Sequence, residues 1–509
     1  MLLPTFLALV LGFLIYLYIS LVMKPHKIQK MLRNQGIHGP PPKILLGNIL
    51  EIKKSRDAAA TAATADNCSS PATHDTASVF PFLEQWRKQY GQMFTFSLGN
   101  LQVLYVSDPN VVKEITTTTS QDLGRPAYQQ KTFGPLLGQG ILTSNGAIWA
   151  RQRKIMAPEL FMDKVRGMMS IITESAHTVV NTWKQEIEAN KGGVLDIAVD
   201  GYMKRFSGDI ISRACFGSNY SKGQDIFVML GALQELVSKK TMAVGLPGLR
   251  HLPTKSNRKI WGLEKEIRTS ILKLVKEREK AGYEKDLLQT LVEGAKGTYS
   301  TSAAMDQFIV DNCRNIYLAG FETSAISASW CLMLLASNPE WQTRIRDEVE
   351  QVCQGRVPDV DMLRKMKQLH TVIQETMRLY PPSPTLAREV SKAMKIGNVE
   401  VPKGVNVWTM VATLHTDPDI WGPDALQFKP ERFQNGISGA CKNPNCYMPF
   451  GFGQRVCVGQ HLAMVELKFL MALIVSNFSF TLSPKYVHKP EMTMMIEPKH
   501  GVNILINTI

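Results

Sequence analysis

The chain has 509 residues, 44% of them hydrophobic, and carries a formal charge of +14. Its eight cysteines have no regular pairing spacing, which excludes a secreted disulfide framework and fits a reducing compartment. The Lys and Arg are dispersed and accompany no recognition motif, so the charge excludes a nucleic-acid partner and suits an anionic membrane surface or an acidic protein.

No charged side chain occurs in the first 23 residues, and fourteen of residues 2–23 are Leu, Ile, Val or Phe. As a helix this segment reaches about 33 Å, enough to cross a bilayer core. A cleaved signal peptide normally ends its apolar core in small residues, and Ile19-Ser20-Leu21-Val22-Met23 offers no such site. Residues 1–23 are therefore expected to form a retained transmembrane anchor. Lys24, Lys27, Lys30 and Arg33 follow it, and the positive-inside bias places the remainder in the cytosol. Gly36-Ile37-His38-Gly39-Pro40-Pro41-Pro42 is stiff and extended because consecutive prolines enforce polyproline geometry. Residues 24–43 thus read as a basic, proline-rich hinge. Residues 53–78 have too little apolar content to pack and read as a disordered insertion, with a marginal Ala-rich helix at Ala58 to Ala65 as the alternative.

Tyr90 to Val106 alternates and turns at Gly99-Asn100, a hairpin signal. The stretch from Gly124 to Gly146 is glycine-rich, lacks helical periodicity and reads as a loop. Helical periodicity covers residues 149–162, 255–280, 305–336, 339–352, 362–379 and 461–477. Met242 to Pro247 is apolar in a polar region, a membrane-dipping or buried loop. No repeat or linker divides residues 44–509 apart from the insertion. They are expected to form one mainly α domain with a small β-rich lobe.

The most informative stretch is Phe450-Gly451-Phe452-Gly453-Gln454-Arg455-Val456-Cys457-Val458-Gly459, directly before the apolar run Leu462 to Val475. Gly453 and Gly459 allow turns that residues with a Cβ resist, so loop amides can face the sulfur. Arg455 supplies a positive fork for a carboxylate, and Phe450 an apolar wall against water. A protected thiolate is what haem iron needs to activate dioxygen. A zinc set of Cys441, Cys446, Cys457 and His461 competes, but its spacing is loose and it leaves Phe450, Arg455 and the glycines without a purpose.

These residues match F-x-x-G-x-R-x-C-x-G, and the chain resembles the cytochrome P-450 superfamily of haem-thiolate monooxygenases. The resemblance implies that family's fold and haem b, with Cys457 as axial iron ligand and Phe450, Gly453, Arg455 and Gly459 around it. Ala319-Gly320-Phe321-Glu322-Thr323-Ser324 is similar to the family's A/G-G-x-D/E-T-T/S, set in the middle of a helix of about 48 Å. It implies that Gly320 admits dioxygen, Thr323 hydrogen-bonds the oxygen at the iron, and Glu322 relays protons. Glu375, Arg378 and Arg432, in E-x-x-R and Pro430-Glu431-Arg432-Phe433, match an ion network that props the cysteine loop. Trp149 and Arg153 match W-x-x-x-R, and with Arg388 and Arg455 they are the implied partners of the haem propionates. Implied substrate contacts lie at 124–146, 225–252, around Asn315 and Ala319, at 384–386 and at 493–495.

The resemblance implies electrons from NADPH, and with no dinucleotide fingerprint in the chain a separate NADPH-cytochrome reductase is expected to deliver them. Arg151, Lys154, Lys164 and Lys442 are candidate docking charges. The other partners are the bilayer, dioxygen and a small lipophilic substrate, and the expected location is the endoplasmic reticulum membrane. Rival classes are an oxygen-independent haem-thiolate peroxide isomerase and a non-enzymatic haem sensor. Leu252-Pro253-Thr254-Lys255-Ser256-Asn257-Arg258 and Ser329-Trp330-Cys331-Leu332-Met333-Leu334-Leu335 resemble the plant branch that oxidises gibberellins, which are diterpenoid acids. Triterpenoid, brassinosteroid, cytokinin and fatty-acyl oxidation occur among its neighbours.

Overall fold

A computed structural model of the chain describes residues 5, 11–12, 15–16, 18–65, 79–190, 193–217, 220–239, 252–283 and 286–509. Its axis is the 36-residue helix Ser302–Ser337, capped by the Thr301 hydroxyl accepting the Ala304 N–H. This is the one helix among the described residues long and apolar enough to cross a membrane, but 83% of its apolar window is buried inside the protein. It is a core helix, buried on nearly all sides because other elements surround it, with its few polar side chains buried as well. Asp200–Phe216 packs along it, and Gln460–Asn477, the helix that follows the cysteine loop, lies against it on another side.

Sheet structure gathers in a smaller lobe. Five strands take the spatial order Met93–Leu98, Leu101–Val106, Asn406–Met410, Thr385–Val390, Leu123–Gly124. The first two form the expected hairpin, with Leu98 opposite Leu101 across the turn. Leu101–Val106 and Asn406–Met410 run parallel, and the remaining pairs are antiparallel. The architecture is thus mainly α with a small β-rich lobe.

Several sequence expectations need correction. Residues 24–43, expected as a basic, proline-rich hinge, pack against the sheet lobe rather than standing free. Lys24–Arg33 is a helix whose Leu32 and Gln29 are buried, and the Gln29 amide donates to Ser97 Oγ (2.8 Å) and Gln102 Oε1 (3.0 Å) on the hairpin. The extended segment after it also hugs the sheet. His38 O accepts the Thr95 N–H, and a Cβ on Gly39 would sit 1.8 Å from Thr95 O. Residues 53–65 are not disordered either, because helix Ile49–Ala65 starts upstream at apolar Ile49 and buries Ile52. The remainder of that insertion, 66–78, lies outside the described residues, as do Met242 to Pro247 and most of the expected anchor.

The expected helix over 149–162 ends at Met156, where Ala157–Leu160 tightens to a 3₁₀ turn at Pro158. That over 362–379 is two helices, Val360–Lys365 and Lys367–Leu379, which break at Met366. The supposed loop at 124–146 contains helix Ala127–Leu137 despite Gly134 and Pro135.

Candidate active site

Of the two glycines expected to make the turns of the cysteine loop, Gly453 does so. Gly459 has φ −91° and open space where a Cβ would sit, so its conformation does not require glycine. Gly451 (φ +73°) and Gly453 (φ +68°) occupy the left-handed region. A Cβ on Gly453 would also lie 2.1 Å from Thr116 O, so that position needs glycine twice over. Cys457 donates its backbone N–H to Phe450 O at 2.8 Å, which closes the loop. The Gly459 N–H faces the thiol at the N-terminal end of Gln460–Asn477, an end that favours negative charge. Burial pushes the thiol pKa up, while the Gly459 amide and the Arg153 cation pull it down. Cys457 has exposed surface although protein surrounds it almost completely. Accessible surface on a residue whose thiol pKa is governed chiefly by burial places it in a cleft. Among the described residues no cluster of three metal-ligating side chains forms, so Cys441, Cys446 and His461 do not join Cys457 as a zinc site.

Arg153 donates to Val456 O (2.8 Å), next to Cys457. Arg455 lies 4.4 Å from the centroid of Trp149, a cation–π stack, and donates to Ser144 O (3.1 Å) and Asn145 Oδ1 (2.8 Å). Arg388 is 6% exposed. Burial first, then Arg125 and Arg455, holds its pKa down. Sequence reasoning missed Arg125, which joins this group from the strand end beside Pro126. It carries no motif, and its site is set by Asn145, which accepts its N–H (2.7 Å) and donates to its carbonyl (2.9 Å).

Beneath the loop, Glu375 and Arg378 are fully buried and paired through two 2.7 Å hydrogen bonds. Arg378 also donates to His415 O (2.7 Å), Ala425 O (2.6 Å) and Gln427 O (3.1 Å). Arg432 stands 3.6 Å from Glu375 but hydrogen-bonds Asp424 Oδ1 (3.0 Å) and Trp421 O (2.9 Å). Asp424 is thus a member of the network that the sequence motifs did not reveal. Its carboxyl is held down at about 2 by hydrogen bonds from Lys429 and Arg432, which outweigh burial.

On the facing side, Thr323 Oγ1 donates to Ala319 O at 2.6 Å, back-bonding within the helix. Glu322 is 6% exposed and accepts a 2.7 Å hydrogen bond from Gln234, while burial raises its pKa. Gly320 does not turn its missing side chain toward open space. A Cβ there would lie 2.2 Å from Ile211 Cδ1, and Ser207 Oγ bridges Gly320 O and Phe321 O (2.9 and 2.8 Å). The glycine lets helix Asp200–Phe216 approach. Asn315, expected to face substrate, is fully buried and committed to the loop. It accepts the Leu142 N–H (2.9 Å) and donates to Leu137 O (2.7 Å), while Asp311 and Asn312 hold Gln139 and Ile141.

The family model described as Cytochrome P450 matches residues 71–504. This chain belongs to the cytochrome P450 family. It is 48% identical to "Cytochrome P450 714C2" of Oryza sativa subsp. japonica over 97% of this chain and 95% of that one. It is 45% identical to "Cytochrome P450 714A2" of Arabidopsis thaliana (96% and 95%) and 43% to "Cytochrome P450 714B3" of Zea mays (98% and 94%).

A P450 is a monooxygenase that uses thiolate-ligated haem, dioxygen and electrons from a reductase. The residues present fit that group. Arg125, Arg153, Arg388 and Arg455 converge beside the cleft of Cys457, and no carboxylate figures among the charges acting on them. One buried and three half-buried guanidinium groups gathered without a carboxylate suit an anionic ligand, and the two propionates of haem would supply that charge.

Proposed function

We propose that this P450 is a membrane-anchored enzyme that hydroxylates or epoxidises a gibberellin or related diterpenoid acid. The observation that carries the substrate class is the likeness of residues 252–258 and 329–335 to the gibberellin-oxidising branch. The small and apolar character of Ala319, Leu386 and Met495 suits a polycyclic hydrocarbon skeleton. Anchoring is supported by the described parts of the N-terminus, where Leu11, Ile15, Tyr16 and Tyr18 are 50–63% exposed. Such side chains need a bilayer or a partner around them. The basic residues after this segment support a cytosolic catalytic domain at the endoplasmic reticulum.

In this reading Cys457 Sγ would hold the iron, and Arg125, Arg153, Arg388 and Arg455 would bind the propionates, with Trp149 stacked against Arg455. Bound haem supplies the reductive activation of dioxygen. Thr323 holds a hydroxyl proton at the helix face, and Glu322, whose pKa burial raises, stands behind it as the group that takes up and passes on a second one. Gln234 fixes the orientation of Glu322. The arginines, Phe450 and the clamped loop 137–142 exclude bulk water. Arg151, Lys154 and Lys442 are exposed and are available to the reductase, whereas Lys164 is paired with Glu159 at 3.0 Å.

The test is to offer microsomes containing this P450 and reductase a panel of gibberellins and other diterpenoid acids, alongside triterpenoid, brassinosteroid, cytokinin and fatty-acid substrates. NADPH-dependent oxygen insertion into a diterpenoid acid is expected. Turnover confined to another lipid class would overturn the substrate assignment.

A further inference from the structure

Behind the long helix lies an aromatic chain that oxygen insertion does not use. Trp330, two turns beyond Thr323 and about 10 Å along the axis, is fully buried and stacks on the fully buried Tyr380, with ring centroids 4.1 Å apart and planes at 13°. The Tyr380 hydroxyl meets His488 Nε2 at 3.3 Å, and the other ring nitrogen meets the Tyr486 hydroxyl at 2.8 Å. Tyr486 is partly exposed. Its charged neighbour, Asp200, lines a surface cavity of about 290 Å³ with Lys204, Glu491, Glu497 and Lys499. The chain therefore runs from the oxygen-handling helix towards water.

Tryptophan and tyrosine are the most easily oxidised of the neutral aromatic side chains, and a tyrosine gives up an electron readily only when a base can take its proton. His488 is such a base. Burial holds its pKa down at about 4, so it is neutral, and the relay takes the tautomer with the proton on Nδ1, donated to the Tyr486 oxygen, which leaves Nε2 to accept from Tyr380. We infer that Trp330, Tyr380, His488 and Tyr486 form a relay that carries oxidising equivalents away from the haem when activated oxygen finds no substrate.

In the first step Tyr380 would give up one electron, through the stacked Trp330, to oxidised haem held at Cys457, and its proton would move to Nε2 of His488. This leaves a neutral phenoxyl radical and an imidazolium. In the second step Tyr486 returns an electron to Tyr380, which recovers its proton from His488, while the Tyr486 proton leaves to water. A soluble thiol then gives a hydrogen atom to the Tyr486 radical and restores the phenol.

The test is freeze-quench electron paramagnetic resonance of the substrate-free ferric holoenzyme mixed with an organic peracid. Wild type should give a phenoxyl signal. Tyr486→Phe should leave that signal on Tyr380, and Tyr380→Phe should remove it and bleach the haem several-fold faster. Both substitutions keep the ring and its packing, and an unchanged carbon-monoxide difference spectrum verifies the fold of each variant. The same radical signal in wild type and both variants, or no protein radical in wild type, would overturn the relay.

Discussion

His415 Nε2 accepts the Met448 N–H at 3.0 Å, while its Nδ1 faces the Arg378 carbonyl at 3.2 Å. This fixes the tautomer, since Nδ1 must carry the proton that Arg378 O accepts. His415 thereby couples the Glu375–Arg378 pair to the segment that leads into the cysteine loop. Tyr447 reinforces the link, stacking on His415 at 5.3 Å and donating to Gln374 O at 3.0 Å.

Removing Arg378 should therefore act at a distance. Arg378→Met leaves the Glu375 carboxylate fully buried and stripped of its two paired hydrogen bonds, a cost of about 3–5 kcal/mol. The expected outcome is loss of thiolate-type haem binding, measured by haem content and the carbon-monoxide difference spectrum. Retention of both at wild-type levels would show that the pair does not support the loop.

His415 also gives stability a defined pH dependence. Burial, then the Arg378 cation, lowers its folded-state pKa from the ordinary 6.5 to about 3. Folding thus favours the neutral ring. That contribution is complete above the unfolded-state value and is lost as pH falls from about 6.5 towards 3. Replacing His415 with Gln should flatten the acid limb of denaturant-derived stability. It should not abolish that limb, because His370 and His488 are also depressed, each to about 4.

Gly320 offers a compensation experiment. Gly320→Ala gains about 1 kcal/mol of helix propensity but drives a methyl into Ile211, an overpacking cost of about 1–3 kcal/mol. The single variant should be destabilised by up to about 2 kcal/mol in thermal or chemical melts. In an Ile211→Ala background the same change should be neutral or stabilising. Equal effects in both backgrounds would show that helix contact is not the reason for glycine here.

Much of this arrangement is written in local sequence. The hairpin at Gly99-Asn100, the long helix and the turn before Cys457 follow from alternation, apolar run length and glycine placement, all of which act within a few residues. The errors arise where distant partners decide. Ala127–Leu137 survives its Gly and Pro because Asp311, Asn312 and Asn315, far along the chain, satisfy the backbone that follows it. Lys24–Arg33 looks like a solvated basic linker until Gln29 finds Ser97 and Gln102. Arg125, His415 and Asp424 carry no spacing signal, since each is defined by what folds against it. Gly320 was legible as special, but the neighbour that requires it, Ile211, was not.

The central claim is that Cys457 presents a thiolate to haem iron. The most direct measurement is the carbon-monoxide difference spectrum of the dithionite-reduced protein and of Cys457→Ser. The account predicts the strongly red-shifted Soret band of thiolate-ligated haem in wild type and its loss in the variant. An unshifted band in wild type, or a shifted band that survives in Cys457→Ser, would contradict it.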